Sequence, residues 1–428
     1  MNLSLQLSEV KTSSTVSISG SKSETNRLLL LQALYPNIQV ENASISDDSQ
    51  VMIQALKTTN SEIDIHHAGT AMRFLTAYFA IQEGREVILT GSSRMKERPI
   101  QILVDALRQL GANIEYEEKE GFPPLRIRGK KLTNSSVSIQ SNVSSQYISA
   151  LLLIAPKLEN GLQLTLEGEL TSVPYIQMTL NLLHQIGIKT EFNHNQIKVY
   201  PTTDNRQPTT DNSHPTTQQS NNPTITIESD WSSASYYYLI VALSKVGTQI
   251  TLSSFKENSL QGDSALIEMY KNFGVKTTFK NNSITVAKTN RKQTTDNRHP
   301  TTFQLNNTPD LAQTIAVTCL GLGIACHLTG LHTLKIKETD RLVALQNELS
   351  KLGAVVSSTK DSITIEASTK INSKIKIKTY NDHRMAMAFA PLALRVPIFI
   401  EDAEVVSKSY PDFWNDLKSI GFQIKSTQ

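Results

Sequence analysis

Cysteine is nearly absent from this 428-residue chain: Cys319 and Cys326 alone occur, both inside the apolar run Thr314 to Leu328. Thiols in such surroundings behave as small buried hydrophobes, so neither a disulfide pair nor a zinc site is expected. Long uninterrupted apolar runs are missing as well, and no membrane-spanning helix is expected. The opening Met1-Asn-Leu-Ser-Leu-Gln lacks a basic segment followed by an apolar one, which predicts no secretory signal and a cytoplasmic location. Charge of one sign is scarcely in excess, with a net charge of +3 and a pI near 8.6. No Lys/Arg run is interleaved with aromatics, so nucleic acid is not an expected partner. What remains, 39% hydrophobic and 19% charged, is ordinary for a soluble globular protein. The length suggests two domains or a repeat architecture.

The cations are dealt out in short clusters, each beside a carboxylate, amide or hydroxyl. These are Gly20-Ser-Lys-Ser-Glu-Thr-Asn-Arg27, Ala68-Gly-Thr-Ala-Met-Arg73, Arg94-Met-Lys-Glu-Arg98, Lys337-Glu-Thr-Asp-Arg341 and Asn381-Asp-His-Arg384. Arginine binds carboxylate or phosphate through two hydrogen bonds, so the pattern suits a small, highly anionic substrate. Lys22, Ser23 and Arg27 stand at a predicted strand-to-helix turn, where free N–H groups and the helix dipole favour anions. It is not a Walker A loop, because the spacing is absent. Taken alone, the same residues read more readily as solvated cations at a helix start.

Five segments end an amphipathic helix on an apolar residue plus glycine: Val104 to Gly111, Asn181 to Gly187, Glu268 to Gly274, Asn347 to Gly353 and Asp416 to Gly421. Glycine suits a left-handed helix end. Alternating runs follow, such as Val275-Lys-Thr-Thr-Phe and Ser283-Ile-Thr-Val around the hairpin-like turn Lys280-Asn-Asn. Recurrence at roughly 70–90 residues predicts one α/β unit used repeatedly. A sixth unit near Asp47 to Leu56 loses its glycine and hairpin. Two low-complexity stretches, 201–222 and 288–303, repeat Thr-Thr-Asp-Asn and are expected to be surface loops.

Six motifs in one order carry a family resemblance. They are Gly20-Ser-Lys-Ser-x-x-x-Arg27, Ala68-Gly-Thr-Ala-Met-Arg73, Arg94-Met-Lys-Glu-Arg-Pro-Ile100, Ser144-Ser-Gln146, Lys337-Glu-Thr-Asp-Arg341 and Tyr380-Asn-Asp-His-Arg-Met-Ala-Met387. Together, from about Val16 to Trp414, the chain closely resembles the 5-enolpyruvylshikimate-3-phosphate synthase family. The resemblance implies a two-domain α/β enolpyruvyl transferase fold, an inside-out α/β barrel of six β-α-β-α-β-β units with the first curtailed. It implies one domain from residues 1–19 plus 229–428, a second from 20–228, and substrates bound in the cleft between them.

The reaction implied transfers the enolpyruvyl group of phosphoenolpyruvate to the 5-hydroxyl of 3-phosphoshikimate, with release of phosphate and no cofactor or metal. By resemblance, Lys22, Ser23, Arg27, Ser144, Ser145, Gln146, Ser172, Tyr175, Asp310, Thr333 and Lys337 hold 3-phosphoshikimate. Lys22, Gly69, Arg94, Gln146, Arg341, Arg384 and Lys408 hold phosphoenolpyruvate. Asp310 matches the family's base and Glu338 its acid, with Lys22 a third catalytic group. Without the resemblance, Asp310 reads as a first-turn helix carboxylate and Glu338 as half of a surface ion pair. His383 reads as site-shaping or structural. The partners implied are these two small molecules, acting on a monomer.

Three positions depart from the family pattern: His67 for an Asn, Phe74 for a Pro, and Thr333 where some members carry Asn. Two rivals follow. One is a UDP-N-acetylglucosamine enolpyruvyl transferase, opposed by a Gly91-Ser-Ser-Arg-Met-Lys loop without cysteine. The other is a non-catalytic ligand-binding relative, opposed by the retention of Lys22, Asp310, Glu338 and Arg384.

Overall fold

The computed structural model describes residues 1–140, 144–168, 170, 172–202, 223–290 and 300–427. They form two compact units. The first comprises Met1–Ser21, Ser44–Asp47 and Glu228–Gln428, the second Lys22–Ala43 and Asp48–Ile227. Ser44–Asp47 therefore belong with the first unit, not with the span 20–228. A hydrogen bond from the Ser407 hydroxyl to Asp47 Oδ2 ties them there.

Among the described residues, five four-stranded sheets share one connectivity. In the sheet of Glu62–Asp64, Glu86–Thr90, Asn113–Tyr116 and Leu125–Arg128, the first two strands pair in parallel. The fourth then inserts antiparallel between the second and the third. The same order recurs in the second unit through Ser136–Gln140, Leu162–Glu167, Thr190–Asn193 and Gln196–Val199. In the first unit, Ser13–Val16, Gln249–Ser253, Val275–Lys280 and Ser283–Lys288 repeat it. The turn between the last two places Asn281 at φ 50° and Asn282 at φ 56°, the left-handed pair that a two-residue hairpin needs.

In a further sheet, Asn2–Leu5 takes the fourth position, lying between Ile398–Ile400 and Ile424–Thr427 and antiparallel to both. The sequence pattern does not contain this pairing, because its partners lie at opposite ends of the chain. Among the described residues, Gln39–Glu41 and Thr224–Thr226 pair in parallel as a two-stranded sheet.

Helix type follows burial. Helices apolar on every side, such as Trp231–Leu243, Ala312–Leu322, Gly69–Ala80 and Ser145–Ile154, are almost wholly buried. Helices with one apolar stripe, Gln101–Gln109 and Phe413–Ile420, bury that stripe alone. The glycines expected to end five helices all have positive φ: Gly111 at 102°, Gly187 at 82°, Gly274 at 71°, Gly353 at 95° and Gly421 at 123°. Cys319 and Cys326 are buried and in no disulfide. No helix among the described residues is long and apolar enough to cross a membrane.

The low-complexity bounds 288–303 need correction. Lys288 ends a strand paired with Val275, and Thr301–Gln304 forms a strand parallel to Cys326–Thr329. Backbone pairing captures these flanking residues despite their polar composition. Similarly, Thr202 is fixed by its N–H and hydroxyl, both donating to the Pro156 carbonyl. The Thr-Thr-Asp-Asn repeats themselves lie outside the described residues.

Candidate active site

In the second unit, four packed helices begin at or just after sequence-predicted residues: Lys22–Leu34, Gly69–Ala80 and Ser145–Ile154 at Lys22, Gly69 and Ser145, and Val173–Gln185 just after Ser172. Each start leaves backbone N–H groups unpaired within the helix, which is favourable ground for anions. Ser144 caps its helix by accepting from the Gln146 N–H, and Gln146 Nε2 reaches Thr70 Oγ1 at 3.2 Å. Ser172 holds a left-handed backbone with φ 55° just before Val173.

Arg27, 2% exposed, knits three of these helices together. It donates to Thr179 Oγ1, the Ser23 carbonyl and Ser149 Oγ, each at 2.8 Å. Its guanidinium lies 5.3 Å from the Phe74 ring centroid and 5.9 Å from that of Tyr175. Phe74, a departure from the family pattern, thus supplies a stacking face for a buried cation. Burial pulls the Arg27 pKa down to about 10, opposed by the fields of Tyr175 and Glu24, so it remains charged at neutral pH.

Lys22 Nζ stands 3.1 Å from Asp48 Oδ2, and His67 Nε2 lies 3.5 Å from Asp48 Oδ1. Asp48 was not singled out from sequence, although it sits between the two groups that were. Gly69 rests against Arg98: a Cβ there would fall 2.5 Å from Arg98 Nη1. Arg98 is buried and also escaped assignment. Arg94, in contrast, is half exposed and pairs with Glu97 at 2.8 Å.

The first unit holds the densest charge cluster. Asp310 sits in a short 3-10 turn, Pro309–Leu311, that leads into the helix Ala312–Leu322. Its Oδ1 accepts from Arg341 at 2.8 Å and stands 3.6 Å from Lys337 Nζ, while Oδ2 accepts from Arg384 at 2.9 Å. Burial raises the Asp310 pKa, but Arg384, Lys337 and Arg341 outweigh it and hold the carboxyl well below its usual range. Burial likewise lowers Lys337, against the pull of Asp310.

Arg341, 2% exposed, also donates to Glu338 Oε2 at 2.7 Å and to Asp382 Oδ2 at 2.6 Å. Asp382 caps the helix His383–Phe389 by accepting from the Arg384 N–H at 2.9 Å. Lys408 Nζ donates to the carbonyl and the Oδ1 of Asn381, both at 2.7 Å. The Thr333 hydroxyl is buried and makes no hydrogen bond to a described residue. His383 is buried, with Nδ1 3.9 Å from Asp382.

A further carboxylate stands behind Arg384. Ser232 Oγ accepts from Arg384 Nη2 at 3.3 Å and donates to Asp263 Oδ2. Asp263 is 3% exposed, and burial, aided by the negative charge of Asp310, pushes its pKa up to about 6. A carboxyl raised in the folded state favours folding below its unfolded pKa of about 3.9, and that advantage is lost as pH rises through 6. Asp263→Asn is therefore expected to stabilise the protein at pH 7.5, with the gain shrinking as pH falls from 6 towards 4. Urea denaturation at about pH 7.5 and about pH 4 measures it, and equal midpoint shifts at both would exclude the titration.

The first unit offers a carboxylate among cations with a second carboxylate close by, and the second unit, taken by itself, offers helix starts suited to phosphate. Residues 58–417 match the EPSP synthase (3-phosphoshikimate 1-carboxyvinyltransferase) family. A 3-phosphoshikimate 1-carboxyvinyltransferase of Bacteroides fragilis is 47% identical over 416 residues, covering 96% of each chain. One of Colwellia psychrerythraea is 35% identical over 441 residues, covering 96% of this chain and 97% of its own. An EPSP synthase structure from Acinetobacter baumannii shares the fold at a TM-score of 0.76, with 20% identity and full coverage of both chains. An enolpyruvyl transferase from Streptomyces tendae does so at 0.70, with 12% identity, covering all of this chain and 98% of its own. With most of its length matched and near-half identity to such relatives, the chain belongs to the EPSP synthase family.

Proposed function

We propose that the chain transfers the enolpyruvyl group of phosphoenolpyruvate to the 5-hydroxyl of 3-phosphoshikimate and releases phosphate. The observation that carries this reading is Asp310, a carboxylate gripped by Arg341, Arg384 and Lys337 with Glu338 alongside. Addition requires a base to take the 5-hydroxyl proton and an acid to protonate the methylene carbon. Asp310 fills the first role and Glu338 the second. The oxygen then bonds to the substituted carbon of phosphoenolpyruvate. Collapse of that adduct expels phosphate and returns a methyl proton to a carboxylate. No cofactor enters this scheme.

The low pKa of Asp310 gives the scheme an order. While Arg384 and Lys337 face it, the carboxylate is a poor base. Substrate anions drawing those cations towards themselves weaken their pull on Asp310, and its basicity rises when both substrates are in place. Lys22, Ser23, Arg27, Ser144, Ser145, Gln146, Ser172, Tyr175, Thr333 and Lys337 are assigned to 3-phosphoshikimate. Gly69, Arg94, Arg341, Arg384 and Lys408, with Lys22 and Gln146, are assigned to phosphoenolpyruvate. The recurring sheet order supports the finer fold reading, six repeated units in an inside-out barrel with the Gln39–Glu41 unit curtailed. We read the protein as a cytoplasmic monomer acting on small molecules, without nucleic-acid or membrane partners.

The test is phosphate release. Release is expected only with both phosphoenolpyruvate and 3-phosphoshikimate present. Release with UDP-N-acetylglucosamine in place of the shikimate would overturn the substrate assignment.

His67 adds an expected pH dependence. Its ring nitrogen faces Asp48, which also holds Lys22, so a protonated imidazole competes for that carboxylate and adds positive charge beside an anion site. Phosphoenolpyruvate affinity is expected to strengthen from pH 8 to pH 6, and His67→Asn to flatten the trend once the ligand's own titration is subtracted. Binding calorimetry measures it. Identical profiles would make His67 purely structural.

A further inference from the structure

Glu348 is 0% exposed, yet it sits on the amphipathic helix Arg341–Lys351, where a leucine would fill the same space. A fully buried carboxylate needs partners to offset its desolvation. They are specific here. Oε1 accepts from the Tyr380 hydroxyl at 2.8 Å, and Oε2 from the Lys378 N–H at 3.1 Å. Lys351 Nζ pairs with Oε2 as well.

Glu348 lies at i+7 from Arg341, about two turns along one helix face. Arg341 grips Asp382, and Glu348 grips Lys378 and Tyr380, so a single helix holds both ends of the segment 378–382. Between those grips the backbone is strained. Tyr380 has φ 53° and Asn381 φ 57°, two consecutive non-glycine residues in the left-handed region. Such conformations are disfavoured and persist where the surroundings enforce them. Asn381 is also the residue whose carbonyl and side-chain oxygen both hold Lys408.

We propose that Glu348 is a positioning residue for phosphoenolpyruvate: by clamping Tyr380 and Lys378 it enforces the left-handed turn that sets Lys408, through Asn381, and Arg384, through Asp382. The inference rests on the assignment of Lys408 and Arg384 to phosphoenolpyruvate. It predicts a split in kinetic constants that a general packing role does not. Glu348→Leu is expected to raise the KM for phosphoenolpyruvate by about 10–100-fold, the scale of a small misplacement. The KM for 3-phosphoshikimate should stay within about twofold. Glu348→Gln keeps one acceptor oxygen and should fall between wild type and leucine. Tyr380→Phe should move the same constant less, and adding it to Glu348→Leu should have no further effect.

Steady-state kinetics with each substrate varied, beside urea denaturation of each variant, make the test. A folded Glu348→Leu with both KM values unchanged, or both raised equally, overturns the proposal. If that variant fails to fold, an unchanged phosphoenolpyruvate KM in both Glu348→Gln and Tyr380→Phe does the same. Lys408→Met separates the two levels. A raised phosphoenolpyruvate KM there, without one in the Glu348 variants, sinks the clamp alone. An unchanged KM in Lys408→Met overturns the site assignment and the clamp with it.

Discussion

Asp310→Asn is expected to slow turnover by about 10²–10⁴-fold, roughly 3–5 kcal/mol of barrier, while 3-phosphoshikimate still binds. The amide keeps the shape of the carboxylate and its oxygen can still accept one hydrogen bond from Arg341 or Arg384. What it loses is the ability to take a proton. Removing the negative charge also leaves Arg341, Arg384 and Lys337 less compensated, so anions should bind no more weakly and turnover should fall alone. Glu338→Gln is expected to fall in the same range, because Arg341 can still donate to the amide oxygen at the position now 2.7 Å away. Single-turnover measurements separate chemistry from product release. Near-normal turnover in either variant removes that residue from its role.

Arg341→Met is expected to have the largest effect on stability, about 3–5 kcal/mol, with loss of activity. One 2% exposed guanidinium serves Asp310, Glu338 and Asp382, the last 0% exposed. Deleting it leaves carboxylates buried beside one another, a situation costlier than lacking the whole cluster. Burial opposes the charge on Arg341, but the three carboxylates prevail and raise its pKa above the ordinary arginine value. Arg341→Lys should recover part of the stability and little activity, since a single ammonium cannot span three acceptors in a planar fork. Urea denaturation tests this. A methionine variant within 1 kcal/mol of wild type would show that the cluster relaxes without its hub.

Much of the local fold was legible because it rests on short-range chemistry. A glycine after an amphipathic helix and Asn281-Asn282 between alternating runs specify their conformations within a few residues. The candidate site was legible only through motif order, since a lone Lys22 or Asp310 has an ordinary surface reading. Asp48, Asp263 and Glu348 went unassigned for one reason. Each acts on another side chain rather than carrying a pattern of its own, and its partners are set by packing between distant segments. Phe74 shows the same limit: its role beside Arg27 depends on a ring and a cation 47 positions apart meeting face to face.

The strand Asn2–Leu5 has a consequence for biosynthesis. Its neighbours Ile398–Ile400 and Ile424–Thr427 are synthesised roughly 400 residues later. At about 5–20 residues per second, those first residues wait roughly 20–80 s for their partners. The second unit, drawn almost wholly from residues 22–227, has its own strands in hand long before then. The nascent chain should therefore carry a finished half and a strand still waiting for its partners at once, and chaperone capture should centre on that strand until its sheet closes over it.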